Sequence, residues 1–286
     1  MYDHTPVLLE EVLDFLNPQS GGKFIDATAG AGGHAAAILE RTSPDGVLLV
    51  VDRDDAALEM ARGRLAPYKS RTTFVQANFA EIDDVARDRD FLEVDGLLAD
   101  LGVSLMMLDD PERGFSFRFD GPLDMRMDRR SELTAADIVN YTSEKELADL
   151  IFNLGEERRS RPLARSIVRA RPHQSTGDLV QAIEAVTGKP RYGKIHPATR
   201  TFMALRLAVN KELDNIRTLL EASGQIIRTG GRLVVISFHS LEDRIVKHRM
   251  RDLGHVLTRK VVRAGESEQD RNPRARSAKL RAMEII

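Results

Sequence analysis

Between a short apolar run, Lys23 to Ala27, and an amphipathic stretch, His34 to Arg41, the chain reads Asp26-Ala-Thr-Ala-Gly30-Ala-Gly32-Gly33-His34. Glycines at these positions let the backbone turn tightly from a strand into a helix and let a ligand approach the main chain closely. Gly30, Gly32 and Ala35 satisfy the spacing of a nucleotide-binding turn, a match that is weak on its own. Asp52 sharpens it, because it stands about twenty residues further on, at the end of a second apolar run, Gly46 to Val51, where a carboxylate can accept both hydroxyls of an adenosine ribose.

The surrounding pattern is that of a parallel sheet with helical crossovers. Ala56 to Leu65 predicts a helix, Thr72 to Gln76 a third strand and Val94 to Ala99 a fourth, giving the order βαβαβ. Residues 109 to 128 mix Gly, Pro, Phe, Arg and Asp without a period, as a long ordered or ligand-ordered loop would. From Thr134 to Gly188 four short helices are expected, with Ser or Thr near their starts. One long helix from Ala198 to Ile227 should follow, and then Gly230-Gly231 leads into a buried strand, RLVVISF. The chain is therefore expected to form one α/β domain discontinuous in sequence, 1–108 with 196–286, interrupted by a helical insertion, 109–195.

Two ligands suit the glycine turn with Asp52: NAD and S-adenosyl-L-methionine. Asp26, at the end of the first strand, favours the second, since a carboxylate attracts an ammonium or sulfonium and repels a pyrophosphate. Phe79, after the third strand, either lies against an adenine or belongs to the core. Asp100 ends the fourth strand at the carboxyl edge, where open α/β sheets bind ligands. An NAD-dependent oxidoreductase would need a second nucleotide-binding half, which no stretch of the chain supplies.

Composition closes other routes. The chain has no Cys, which removes disulfides, thiolate metal sites and cysteine nucleophiles. Its seven His show no metal-ligand spacing, so no metal is assigned. Ser237, His239 and Asp243 lie too close in sequence for a hydrolase triad and lack a GxSxG elbow; a helix start capped by Ser240 and Asp243 explains the same letters. With 42 Lys and Arg against 44 Asp and Glu, only local clusters can attract a polyanion. Two are present: Arg158, Arg159, Arg161, Arg165, Arg169 and Arg171 in the insertion, and Arg259, Lys260, Arg263, Arg271, Arg274, Arg276, Lys279 and Arg281 in the tail. No 18-residue apolar run occurs, and no membrane association is expected; the chain reads as soluble and cytoplasmic. Nothing in it fixes an oligomeric state.

The blocks DATAGAGGHAAAIL, VVDRD, DGLLADLGVS, LDDPERGFSFRFDGPLDMRMD, GEERRSRPLARSIV, HPATRTFMALRLAVNKEL, GGRLVVISFHSLEDRIVK and NPRARSAKLR resemble, in order, the bacterial methyltransferases that modify a cytosine N4 of 16S ribosomal RNA, the MraW family. The resemblance implies a class I S-adenosylmethionine-dependent, Rossmann-like methyltransferase fold with a helical, RNA-recognising insertion. It implies 16S ribosomal RNA of the small ribosomal subunit as partner, with a cytosine of the decoding region as target. It places the cofactor against Gly32, Gly33, His34, Asp52, Phe79 and Asp100. Where the family usually carries a Gln against the cofactor this chain has Met107, whose thioether cannot replace the amide's hydrogen bonds. A non-catalytic RNA-binding assembly factor is the competing reading, and Met107 is its one support. Chemically, an exocyclic cytosine amine is a poor nucleophile that needs an acceptor for its N–H; Asp100 is the candidate. Phe115, Phe117 and Phe119 either pack against an extruded base or anchor their loop. Without Cys, the usual C5 route, which adds a thiolate at C6, is closed. A ribose hydroxyl stays open as acceptor on the residues alone, and the resemblance decides for N4.

Overall fold

The computed structural model describes residues 6–189 and 195–286; His4 lies outside them. The chain divides into two compact units, one built from the residues up to Gly102 together with Leu213–Ile286, the other from Val103–Glu212.

The first unit holds a seven-stranded sheet of β1 (Lys23–Asp26), β2 (Val47–Asp52), β3 (Thr72–Gln76), β4 (Val94–Asp100), β5 (Ile227–Ser237), β6 (Gly254–Val256) and β7 (Lys279–Ile285), in the order β3-β2-β1-β4-β5-β7-β6. The five strands from β3 to β5 are parallel, whereas β7 runs antiparallel to both β5 and β6. This is the class I methyltransferase arrangement expected from the sequence. Because both faces of the parallel strands are covered, they read as unbroken apolar runs rather than alternating ones. Phe24, Leu48, Val50, Leu98, Val234 and Ile236 point to one face, packed with residues of α1 (Leu9–Leu16), α2 (Gly33–Arg41) and α3 (Asp55–Arg64). Ile25, Leu49, Val51, Leu97 and Val235 point to the other, packed with α4 (Ile82–Asp88), α11 (Glu212–Ile226) and α12 (Ser240–Leu253). A short helix, α13 (Glu266–Arg271), precedes β7.

The second unit contains α5 (Leu105–Asp109), α6 (Ala135–Tyr141), α7 (Glu144–Gly155), α8 (Ser160–Arg169), α9 (Thr176–Thr187) and α10 (Thr199–Val209), around a core of its own that includes Leu123, Ile151, Leu163, Leu179 and Leu205. Three of its helices start with capping boxes, Thr134 with Asp137, Ser143 with Glu146 and Ser175 with Asp178, each satisfying N–H groups that a helix start leaves open.

Three sequence expectations change. The long helix from Ala198 is two helices, broken at Asn210 and Lys211. Buried Asn210 accepts from Met127 N–H at 2.8 Å and donates to the carbonyls of Met125 (2.8 Å) and Arg206 (2.9 Å), and Lys211 takes a positive φ of 50°. The division between units falls at Gly102 and Glu212 rather than at 108 and 196, since α10 packs against α7 within the helical unit. The basic cluster of the tail does not stay whole either: Lys279–Ile285 forms a strand between β5 and β6, where Arg281 pairs with Asp243 at 2.7 Å and is not free to contact phosphate.

Candidate active site

Three acidic residues end three neighbouring strands: Asp52 on β2, Asp26 on β1 and Asp100 on β4. Asp26 is in register with Val50 and Leu98, so Asp52 and Asp100 each lie two residues further along. A two-residue step preserves the side-chain direction, and all three carboxylates therefore leave the sheet on the α2 face at its carboxyl edge. The Thr28 N–H donates to Asp26 Oδ1 at 3.1 Å, and the Asp100 N–H donates to Thr28 Oγ1 at 2.6 Å, tying the ends of β1 and β4 together.

The glycine turn joins the same cluster. Gly30 donates its N–H to Asp52 Oδ2 at 2.9 Å, while Asp52 Oδ1 accepts from the Asp54 N–H at 2.9 Å. Gly30 has φ 48°, and a Cβ built there would meet nothing within 4 Å, so the turn borders open space. Gly32 (φ 76°) precedes the first turn of α2, and a Cβ on it would stand 3.1 Å from the Ala61 Cα. Gly33 and His34 open α2; the His34 Nε2–H donates to the Val7 carbonyl at 2.9 Å and holds the N-terminal segment beside the turn. Burial, above all, lowers the His34 pKa, so the ring is neutral.

No Lys or Arg forms an ion pair with Asp26, Asp52 or Asp100 among the described residues. Burial pushes the Asp26 carboxyl up to about 7; the Thr28 N–H opposes the rise, and the charges of Asp100 and Asp52 add to it. Burial also raises the Asp52 pKa, against the N–H groups of Asp54 and Gly30 and the charge of Arg53. Asp100 Oδ1 is buried and has no hydrogen-bond partner among the described residues. Uncompensated acceptors at a strand-end opening call for a ligand that brings cations and hydroxyl donors.

Phe79 is buried among the core residues after β3, with the Arg53 guanidinium 5.9 Å from its ring. Met107 belongs to the helical unit and is packed in that unit's core, an environment that suits a thioether. Sequence reasoning missed Phe238, which follows β5: the Arg274 guanidinium stands 5.0 Å over its ring, and a Cβ on Gly102 would lie 3.6 Å from its edge. Charges from both Asp100 and Arg274 act on His34, which places Arg274 at this end of the sheet. The start of α12 is capped by His239 rather than Ser240, with Glu242 accepting from the Phe238 and His239 N–H groups at 2.8 and 3.2 Å. Asp243 is committed to Arg281, so Ser237, His239 and Asp243 form no triad.

In the helical unit, Phe115 is buried and Phe117 packs on His196 (4.5 Å between ring centroids) and Phe202 (5.0 Å), so both anchor their loop. Phe119 is 57% exposed. Arg113 is buried and donates to the Arg126 and Met127 carbonyls, which orders the loop from within. Of the six insertion arginines, Arg159 bonds the Val186 carbonyl, Arg171 the Val139 carbonyl and Arg165 the Glu144 carboxylate, while Arg158, Arg161 and Arg169 are exposed. Among the described residues no group of three His, Asp or Glu is placed to hold a metal, and no helix is long and apolar enough to cross a membrane.

Residues 1–286 match the MraW methylase family from end to end. The chain belongs to that family. Similar curated relatives of the MraW family are ribosomal RNA small subunit methyltransferase H of Acidobacterium capsulatum, 50% identical over 98% of each chain, and that of Solibacter usitatus, 48% identical over 99% of each. The same enzyme of Sorangium cellulosum is 53% identical, covering 98% of this chain and 90% of its own. As an MraW methylase the chain is an S-adenosylmethionine-dependent methyltransferase, and the carboxylates at the ends of β1, β2 and β4 fit the ammonium, sulfonium and ribose hydroxyls of that donor.

Proposed function

We propose that the chain methylates the exocyclic N4 of a cytosine in the decoding region of 16S ribosomal RNA, in the small ribosomal subunit, and that the site just described is where it does so. The observation that carries the site is the set of three strand-end carboxylates around the glycine turn, with Asp100 Oδ1 buried and without a hydrogen-bond partner among the described residues. When bound, S-adenosylmethionine supplies an electrophilic methyl group on a sulfonium. Asp52 would accept the ribose hydroxyls on the lone pairs left by Gly30 and Asp54, and Phe79, packed in the core just after β3, would border the adenine. Gly30, Gly32 and Gly33 give backbone access, with His34 bracing the turn. Asp26 and Asp100 offset the positive charge of the donor. Asp100 would accept a hydrogen bond from an N–H of the cytosine amine, which orients the nitrogen's lone pair for transfer and leaves the carboxylate placed to take the proton that the methylated nitrogen sheds; orientation of this kind supplies much of the rate. Met107 stays in the helical unit's core and gives the donor no polar contact. The helical unit, Val103–Glu212, recognises RNA through its exposed arginines and the open face of Phe119.

Small-subunit RNA from cells with and without the protein, digested to nucleosides and analysed by mass spectrometry, tests this reading. N4-methylated cytidine that depends on the protein is expected; a dependent methyl on C5 or on the ribose overturns it. Asp52→Ala is expected to weaken S-adenosylmethionine binding by about 1.5 to 3 kcal/mol, the scale of losing charged hydrogen bonds. Calorimetry checks this, and an unchanged affinity removes Asp52 from the ribose.

A further inference from the structure

A second concave site lies on the sheet unit, away from the carboxylate cluster. A cavity of about 250 Å³ opens between the second half of α12 and the segment that follows β6, and it is lined by Lys247, Met250, Arg251, Val256, Arg259 and Arg281 among others. Lys247 and Arg251 stand four apart on α12 and so share one helix face. Lys247, Arg251 and Arg259 are exposed, whereas Arg281 is buried at the back of the cavity. Asp243 neutralises Arg281, and among the described residues no acidic side chain lines the cavity. Three positive charges therefore converge on one opening, which concentrates anions.

Position separates this cavity from the donor site. Arg281 is in register with Val235 and points to the α12 face, while Asp26, Asp52 and Asp100 lie on the opposite face. The two sites nonetheless sit at nearly the same height on the sheet, because Ile236, next to Val235, is in register with Asp100. β7 is two strands from β4, a lateral distance of about 10 Å at ordinary strand spacing.

We infer that this groove binds a phosphodiester stretch of the RNA substrate, flanking the nucleotide held at Asp100. The convergence of three exposed cations on a cleft level with the catalytic edge is the juxtaposition that carries it. Charge complementarity selects a polyanion, and the apolar floor of Met250 and Val256 gives room for a sugar edge beside the phosphates. The inference rests on the ribosomal RNA reading above.

The test compares full-length protein with the double variant Lys247→Gln/Arg251→Gln, whose side chains are exposed and carry no core packing. Binding of a 16S ribosomal RNA fragment is followed by fluorescence anisotropy at several salt concentrations, binding of S-adenosylmethionine by calorimetry, and binding of inorganic phosphate by competition. The variant should bind RNA several-fold more weakly at low salt, and its slope of log affinity against log salt should be shallower by about 1.4 to 1.8, the value for two lost phosphate contacts. Donor affinity should not change, which also reports an intact fold. An RNA affinity and slope equal to the unmodified protein's overturn the groove while leaving the methylation reading intact. Loss of inorganic phosphate binding with RNA binding unchanged makes it a free-anion site and overturns it too. An unmodified protein that binds no RNA at all overturns the ribosomal RNA reading itself, and the groove's assignment with it.

Discussion

Asp100→Asn should lower the turnover of methyl transfer by about 100- to 1,000-fold, or about 3 to 4 kcal/mol of activation free energy, the scale of removing one oriented group from a preorganised site. Asparagine keeps the size and shape of the side chain, and the Asp100 N–H bond to Thr28 Oγ1 involves only the main chain. The change therefore falls on the carboxylate itself, one oxygen of which is buried and has no hydrogen-bond partner among the described residues. A carboxylate there accepts an N–H from the cytosine amine and gains strength as positive charge develops on the nitrogen. A neutral amide offers a weaker acceptor on one side and a competing donor on the other. Single-turnover kinetics with 16S RNA, alongside calorimetry with S-adenosylmethionine, separate two routes to the defect. Lost turnover with intact donor affinity assigns Asp100 to the amine. Equal losses in turnover and donor affinity assign it to the donor. Full activity removes both roles.

Much of this site is legible in the sequence because its geometry is local. A strand of alternating direction ending in Asp fixes which way the carboxylate points, and the apolar runs around Asp26, Asp52 and Asp100 are short enough for their ends to be read to within a residue. Three of the four expected insertion helices, α6, α7 and α9, are equally local, since a Ser or Thr three residues before an acidic residue marks a helix start by a contact within one turn.

What sequence reading misses depends on partners far away in the chain. Lys279–Ile285 carries Lys279, Arg281 and Glu284 among apolar residues and reads as the end of a basic tail; its place in the sheet requires Asp243, 38 residues upstream, to neutralise Arg281. The pattern from Thr199 to Ile226 is continuously helical, yet the Met125 carbonyl and the Met127 N–H, more than 80 residues upstream, draw Asn210 into a break. Lys247 and Arg251 are unremarkable on a solvated helix until folding sets Arg259 opposite them. Phe238 acquires its place beside Gly102 only because β4 and β5 are neighbours.

Asp26→Asn should make the free protein more stable at pH 8 while weakening its hold on the methyl donor. The carboxyl titrates near its ordinary value of 3.8 in the unfolded chain and at about 7 in the folded one, because burial disfavours its charge. Between those values the folded protein keeps a proton that the unfolded chain has released, so stability falls as pH rises from about 4 to about 7 and is level above. The upward shift of Asp52 acts in the same direction. Above pH 7 the free protein carries a buried anion that no cation among the described residues pairs with, at a cost on the order of 4 kcal/mol if the whole shift is converted. Asparagine abolishes that cost at a site where the donor's positive charge would otherwise offset it. Urea denaturation at pH 5 and pH 8 should therefore show the unmodified protein losing stability between the two, and the variant losing markedly less. Donor binding should show the reverse linkage. A cationic ligand favours the ionised carboxylate, so the unmodified protein releases a proton on binding near pH 7 and binds more tightly as pH rises from 6 to 8. The variant should bind about 10- to 100-fold more weakly at pH 8, the scale of losing a charge-assisted contact, with the pH dependence reduced. Calorimetry in buffers of different ionisation enthalpy measures the released proton directly. A variant with the same stability difference between pH 5 and pH 8, and the same donor affinity, would mean that the charge of Asp26 belongs to neither balance.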